Sequence, residues 1–126
     1  MRDKRDQWPS ELRLRESGRV LRVAFESGDA YDLSAEYLRV MSPSAEVQGH
    51  RREEHLTIGG KRQCGIIGIE PVGTYAVRLI FNDLHSTGIF TWDYLHELGS
   101  RHDVNWAVYE AELKTKGLSR DRAGQA

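Results

Sequence analysis

Five histidines and one cysteine are the side chains in this sequence best suited to catalysis or metal binding. They are His50, His55, Cys64, His85, His96 and His102. No histidine is followed two residues later by aspartate or glutamate, a common arrangement in the two-histidine, one-carboxylate sites of non-haem iron oxygenases. The zinc-protease pattern His-Glu-x-x-His is also absent. A single cysteine can form neither an intrachain disulfide nor a four-cysteine metal site. We therefore predict no catalytic site and no cofactor.

The pair Gly60-Lys61 invites comparison with a phosphate-binding P-loop. Such a loop needs a glycine five residues before the Gly-Lys pair and a serine or threonine after it, whereas this chain has His55 and Arg62 there. The segment 50–55 has a histidine at each end of a charged run, which favours a solvated loop over a metal-binding pair. Cys64 falls in an apolar segment, so we expect a buried and inert thiol.

The composition is that of one ordinary globular domain. The chain has 126 residues, of which 39% are hydrophobic and 29% charged, and its formal net charge is -1. That charge gives no general reason to expect binding to nucleic acid or to an anionic membrane. No apolar run approaches the roughly 20 residues of a membrane span, and the N-terminus lacks the apolar stretch of a secretory signal. We expect a cytoplasmic protein, either a monomer or a weak homodimer.

Hydrophobic periodicity predicts an α+β fold in which about six short strands form one small antiparallel sheet. Two helices pack on the sheet, and a third helix follows them near the C-terminus. Seven segments are candidates for these strands: 12–15, 20–25, 30–33, 55–58, 64–70, 75–81 and 89–90. The helical segments are 35–41, 92–99 and 104–116, and the last carries an apolar stripe of Val104, Ala107, Val108 and Ala111. Residues 71–73 are predicted to be a turn, residues 1–8 a flexible segment and residues 118–126 a disordered tail.

Two parts of the chain follow the same order of strand, turn, short strand and capped helix. In the first part the cap is Ser34, followed by Tyr37-Leu38. In the second part the cap is Thr91, followed by Tyr94-Leu95. Serine and threonine are favoured at helix N-termini because their side chains accept hydrogen bonds from the first turn. The two units reflect either a duplication or the same local solution used twice.

Four segments of the sequence carry a resemblance to a known family. They run from Leu33 to Arg39, from Ser42 to Val47, from Gly68 to Leu79 and from Gly88 to Leu95. They resemble the bacterial DUF971 family, which is similar to the N-terminal domain of γ-butyrobetaine hydroxylase. The resemblance covers residues 9–99 and leaves residues 100–117 as an additional C-terminal helix. It implies an α+β fold without catalysis, because the hydroxylases carry their iron and 2-oxoglutarate chemistry in a separate domain.

The hydroxylase domain holds a structural zinc through three cysteines and a histidine. The resemblance places its three cysteine positions at Ser42, Ser44 and Val47, and its histidine position at His85. Zinc prefers thiolate and imidazole and needs about four ligands in a structural site. We therefore expect a degenerate site without metal. If the architecture is shared, Ser42, Ser44, Asp83 and His85 form a small polar site, where His85 either bonds to a serine or contacts a partner.

A non-catalytic binding or adaptor domain is the function that these observations favour. Related domains occur fused to P-loop ATPases that carry iron–sulfur clusters, so the resemblance implies, by association, a role near iron–sulfur cluster assembly or delivery, with such an ATPase as a protein partner. The first alternative is a metal-binding accessory domain related to iron and 2-oxoglutarate oxygenases. The second is a weak nucleic-acid binder that uses a sheet face with Arg13, Arg15, Arg19 and Arg22. We do not favour nucleic acid as a partner, because such arginines usually form a solvated face.

Overall fold

The computed structural model describes residues 8–43, 58–86 and 88–121, which form six strands and three helices. The strands are β1 (Pro9–Arg15), β2 (Val20–Phe25), β3 (Ala30–Ser34), β4 (Ile66–Val72), β5 (Ala76–Phe81) and β6 (Ile89–Thr91). The helices are α1 (Ala35–Val40), α2 (Trp92–Ser100) and α3 (His102–Thr115). The predicted α+β fold is confirmed.

Three predicted segments lie wholly or partly outside the described residues. These are residues 1–7 at the N-terminus, residues 55–57 of a predicted strand and residues 122–126 of the predicted tail. Ile58 completes that predicted strand, but the structure places it outside any strand. Its carbonyl oxygen accepts a hydrogen bond from the Tyr109 hydroxyl of α3.

The strands form two antiparallel sheets of three strands each, in the orders β1-β2-β3 and β4-β5-β6. The prediction of a single sheet was therefore wrong. Within each sheet the strands follow one another along the chain, so that short connections supply the antiparallel pairing. Helix α1 and a long connection separate the two meanders in the sequence.

Alternate residues of the central strands build a core that the two sheets share. Leu21, Val23 and Phe25 of β2 are buried, as are Leu79 and Phe81 of β5. Successive side chains of a strand point to opposite faces of the sheet, so this alternation buries one face of each sheet. The same cluster contains buried residues of both α1 and α2.

The predicted helix caps are confirmed at both positions. The Ser34 hydroxyl accepts a hydrogen bond from the Tyr37 amide at 3.0 Å, and the Thr91 hydroxyl accepts one from the Tyr94 amide at 3.1 Å. Each cap begins its helix directly at the end of a strand, so α1 follows β3 and α2 follows β6 without a linker. The repeated unit therefore comprises three strands and a helix.

Tyr37 and Tyr94, whose amides bond to the two caps, also connect the two repeated units through their hydroxyls. The Tyr37 hydroxyl of α1 donates to the Leu98 carbonyl near the end of α2, at 2.7 Å. The Tyr94 hydroxyl of α2 donates to the Met41 carbonyl at the end of α1, at 2.5 Å. Carbonyls in the last turn of a helix have no partner within the helix. Each tyrosine thus satisfies a carbonyl at the end of the opposite helix.

Gly18 allows the turn after β1 to approach the start of β4. Its φ is +87°, and the two preceding residues, Glu16 and Ser17, also have positive φ. A Cβ at Gly18 would lie closer to the Ile66 carbonyl oxygen than the 3.0 Å that real Cβ contacts keep. Glycine alone combines this backbone conformation with this close approach.

One edge strand of each sheet, β1 in the first and β4 in the second, contains a proline and a shift of register. The prolines are Pro9 and Pro71, and the register shifts next to Pro9 in β1 and between Ile66 and Gly68 in β4. The predicted turn at 71–73 was therefore misplaced, since Pro71 lies in β4 opposite Val77. Proline is tolerated in edge strands, where a missing N–H need not break a ladder. The chain turns at 73–75 instead.

The predicted apolar stripe of α3 does not face the core. Val104, Ala107, Val108 and Ala111 are all exposed. The buried residues of the helix are instead Tyr109 and Leu113, which pack with Val40 of α1. The helix thus docks through an aromatic and a leucine rather than through its small side chains.

Residues 118–121 of the predicted disordered tail are described by the structure and bond to the rest of the domain. The Gly60 amide donates to the Ser119 carbonyl at 2.8 Å, and the Arg62 amide donates to the Arg120 carbonyl at 3.0 Å. Arg120 also pairs with Glu36 of α1. These contacts place residues 118–121 against the domain.

Candidate functional site

The segment after α1 and the turn after β5 meet, as the zinc-site alignment had suggested. The Ser42 hydroxyl oxygen lies 3.1 Å from Nε2 of His85. A Cβ at Gly88 would collide with the Ser42 hydroxyl, so the absence of a side chain there leaves room for the serine. Ser44 lies outside the described residues. The structure therefore brings together Ser42 and His85 of the predicted polar site, and the contact of this site with a partner remains a prediction.

Asp83 anchors the same turn through three donors. Its carboxylate accepts hydrogen bonds from Arg39 Nε of α1 at 2.9 Å and from Lys61 Nζ at 2.5 Å. It also accepts a bond from the His85 amide at 3.1 Å. Burial raises the pKa of the Asp83 carboxyl, but the bonds from Lys61, His85 and Arg39 outweigh it and hold the pKa at about 2. The carboxylate fastens the turn to both neighbouring segments.

We expect this anchor to make stability depend on pH in the acid range. Because the folded pKa of Asp83 lies below its ordinary value of 3.8, its contribution is complete above pH 3.8 and disappears as the pH falls through about 2. The shift corresponds to about 2 kcal/mol. Urea unfolding of the wild type and of Asp83→Asn at pH 7, 4 and 2 would measure it. The difference between the two proteins should fall to a small fraction of its pH 7 value at pH 2, and a constant difference would contradict this assignment.

Leu84 forms the tip of the turn, which we call the Leu84 turn and define as residues 82–86. Its side chain is 81% exposed and its φ is +71°. A left-handed backbone costs a non-glycine residue roughly 1–2 kcal/mol. The corresponding turn of the first unit, after Phe25, has Gly28 with φ +99° at the equivalent place. The second unit therefore holds a large apolar side chain in water, in a conformation that suits glycine.

An open cleft of about 1070 Å³ borders the Leu84 turn. It is lined by glycines, by amide and charged side chains and by the start of the C-terminal segment. Its lining includes Lys61, Gln63, Cys64, Asn82, Asp83 and Leu118. Charges in the cleft are already paired with one another, since Lys61 bonds to Asp83 and Arg62 to Asp121 nearby. The cleft thus offers polar groups and main chain rather than a net charge.

Cys64 is one of the residues that line this cleft, and it is buried. Burial, together with the nearby Asp83 carboxylate, raises the pKa of the Cys64 thiol to about 11. A thiol reacts through its thiolate, so this environment suppresses nucleophilic chemistry. The thiol has the buried and unreactive surroundings that the apolar sequence context predicts.

We expect Cys64 in the folded protein to react with iodoacetamide at pH 8 about 100-fold more slowly than in the unfolded chain. The factor follows from the rise of the pKa from 9.0 to about 11. Mass spectrometry of alkylation with and without 8 M urea would give both rates. Similar rates would show that the thiol is accessible and ionised.

The residues at the zinc positions do not fit a structural zinc site. Valine at position 47 carries no donor atom, and the serine positions offer hydroxyls in place of the thiolates that zinc prefers. Nε2 of His85 faces the Ser42 hydroxyl. Across residues 8–43, 58–86 and 88–121, no group of three or more His, Cys, Asp or Glu side chains is arranged to hold a metal ion.

The arginine-bearing sheet face is balanced by acidic side chains. Arg13 pairs with Glu11, Arg15 pairs with Asp32, and Arg22 pairs with both carboxylates. Nucleic-acid binding needs cations that are available to neutralise phosphates. This pairing gives the nucleic-acid interpretation no support. In addition, no helix within the described ranges is long and apolar enough to cross a membrane.

Sequence reasoning missed two parts of this region. It identified Asp83 but not its partners Arg39 and Lys61, which are 44 and 22 residues away. It also passed over Leu84, although aligning the two units places Leu84 opposite Gly28. The signal in the sequence that could have identified Leu84 is a large apolar residue at the position where the first unit has a turn glycine.

Comparison with known proteins agrees with this architecture. A family model described as gamma-butyrobetaine hydroxylase-like, N-terminal, matches residues 12–96. A crystal structure of a protein of unknown function from the DUF971 family of Acidithiobacillus ferrooxidans is 36% identical, with a TM-score of 0.64, and the match covers 77% of this chain and 98% of that one. An NMR solution structure is 46% identical, with a TM-score of 0.78, and the match covers 94% and 96% of the two chains.

A second NMR solution structure is 37% identical, with a TM-score of 0.79, and the match covers 100% of this chain and 98% of the other. The comparison with curated proteins gave no match. Because the family model spans most of the chain and related structures share its fold at these identities, the chain belongs to the gamma-butyrobetaine hydroxylase-like N-terminal family, also known as DUF971.

Proposed function

We propose that this chain is a non-catalytic, cytoplasmic binding module that engages a protein partner through the Leu84 turn. The observation that carries the proposal is the 81% exposure of Leu84 at a positive φ. Backbone strain of this kind persists only where the surrounding structure holds it, and such strain is concentrated at functional sites. An exposed leucine on an anchored turn can fill an apolar pocket of a partner.

The anchors of the Leu84 turn support this proposal. Asp83 is held by Arg39 and Lys61, and His85 contacts Ser42, so residues on both sides of Leu84 are fixed to the domain. A loop that is fixed before binding loses less conformational entropy when it docks. The polar cleft beside the turn offers amide and carbonyl groups to the rim of such an interface.

Site-specific photo-crosslinking tests the proposal. Leu84 would be replaced by p-benzoylphenylalanine, with the same replacement of Val108, which is 54% exposed on α3, as the matched control. Irradiation in host cells should give a discrete adduct at position 84 that is absent at position 108. Identifying the adduct by mass spectrometry also tests the iron–sulfur P-loop ATPase that the family resemblance implies.

The variant Leu84→Gly supplies the competition experiment. Glycine relieves the positive φ but adds backbone freedom to the unfolded chain, so we expect stability to stay within about 1 kcal/mol of the wild type. Excess wild-type protein should suppress the adduct at position 84, whereas excess Leu84→Gly protein should not. Equal suppression by both proteins, or the same adducts at both crosslinking positions, would refute the proposed surface.

A further inference from the structure

The C-terminal segment 118–121 places one arginine in a pocket that recognises its guanidinium group. Arg120 Nε donates to one carboxylate oxygen of Glu36 at 2.8 Å, and a terminal nitrogen donates to the other at 2.7 Å. The Glu36 side chain is only 6% exposed. Two parallel bonds of this kind match the planar fork of arginine, and a lysine ammonium cannot reproduce them.

An aromatic side chain forms a second wall of this pocket. The guanidinium carbon of Arg120 lies 5.1 Å from the centre of the Trp106 ring, in the range of a cation–π contact. Trp106 packs in turn against Tyr109, with ring centres 5.2 Å apart. The carboxylate and aromatic walls belong to α1 and α3, so the residues that form the pocket lie outside the segment that fills it.

The backbone next to the pocket also bonds to this segment. The Gly60 amide donates to the Ser119 carbonyl, and the Arg62 amide donates to the Arg120 carbonyl. At Gly59 a Cβ would lie 2.7 Å from the Ser119 carbonyl oxygen, so the close approach of the two chains needs glycine. Residues 59–62 therefore recognise main chain, which any peptide can supply.

We propose that this groove is a binding site for an arginine-bearing peptide. Residues 118–121 of the chain occupy it in this structure, and an arginine-bearing segment of a protein partner competes with them for it. The chemistry that the groove recognises consists of one guanidinium group, two main-chain carbonyls and the Asp121 carboxylate, to which Arg62 donates at 2.6 Å. Nothing in it is specific to the chain's own C-terminal segment. Leu118, at the start of that segment, remains 43% exposed and adds little burial to hold it there. The proposal uses other residues than the Leu84 turn and stands apart from the proposed function.

Titration with a synthetic peptide tests this competition. The peptide is acetyl-Leu-Ser-Arg-Asp-amide, which reproduces residues 118–121, and the control peptide has lysine in place of arginine. The full chain with Arg120→Glu serves as the open form, because a second carboxylate beside Glu36 repels the segment. Arg101→Glu is the matched charge control, since Arg101 lies outside the groove. Tryptophan fluorescence and calorimetry would report binding.

We expect Arg120→Glu to bind the arginine peptide at least about tenfold more tightly than the wild type or Arg101→Glu, whose own segments compete at a high effective concentration. The lysine peptide should bind about tenfold more weakly, and adding Glu36→Gln to Arg120→Glu should remove the preference for arginine. If Arg120→Glu does not fold by circular dichroism, Arg120→Ala takes its place. A folded open variant that binds neither peptide, or both equally, would overturn the proposal.

Discussion

Replacing Gly18 by alanine is expected to lower the free energy of unfolding by roughly 3 kcal/mol or more, because two separate costs add at this position. The first is the positive φ of +87°, which an alanine adopts only with strain. The second is the collision of the new Cβ with the Ile66 carbonyl, which belongs to the backbone of β4 and cannot rotate away. Urea unfolding followed by circular dichroism would measure the loss.

Gly28 provides the control for this experiment. Its φ is +99°, but a Cβ there would meet nothing within 4 Å. Gly28→Ala should therefore show the conformational cost alone, about 1 kcal/mol. The difference between the two variants isolates the close approach between the first turn and the second sheet. Equal losses would show that the two sheets do not depend on this contact.

Replacing Tyr37 by alanine is expected to cost roughly 3–5 kcal/mol, as for other large aromatic side chains in a core. Tyr37 is fully buried, and its ring packs edge-on against His102 at 4.6 Å between centres. Its hydroxyl donates to the Leu98 carbonyl and accepts a bond from Asn105 Nδ2. The residue therefore connects α1 with both later helices.

Tyr37→Phe separates the hydroxyl from the ring. It keeps the packing and leaves the Leu98 carbonyl and the Asn105 amide without this partner, which should cost about 1–3 kcal/mol. Thermal unfolding of Tyr37→Ala, Tyr37→Phe and Tyr94→Phe would rank the three variants by their loss of stability. If Tyr37→Phe were as stable as the wild type, the brace between the two units would contribute nothing measurable.

The sequence was sufficient to predict those features that depend on neighbouring residues. Ser34 and Thr91 act within their own helices, and the alternation of Leu21, Val23 and Phe25 reports the buried face of a single strand. Such signals are local, so a pattern along the chain contains them. They correctly located both caps and the central strands.

The features that were missed depend on pairs of residues far apart in the chain. Residues from 118 onward are small and polar, which suggested disorder, yet Arg120 finds its partner Glu36 84 residues earlier. The division into two sheets likewise depends on which strands pair, and alternation does not encode pairing. The family resemblance predicted that Ser42 and His85 lie close together, because it contains information about the fold that composition lacks.

The prolines and register shifts in β1 and β4 have a consequence for assembly at high concentration. An outer strand exposes a row of N–H and C=O groups that another chain can pair with, and this is how native sheets grow into aggregates. Proline removes a donor from such a row and a bulge twists the strand away from a flat partner. β1 and β4, one edge strand of each sheet, carry both devices. Extension of either sheet by a second copy at its β1 or β4 edge is therefore disfavoured.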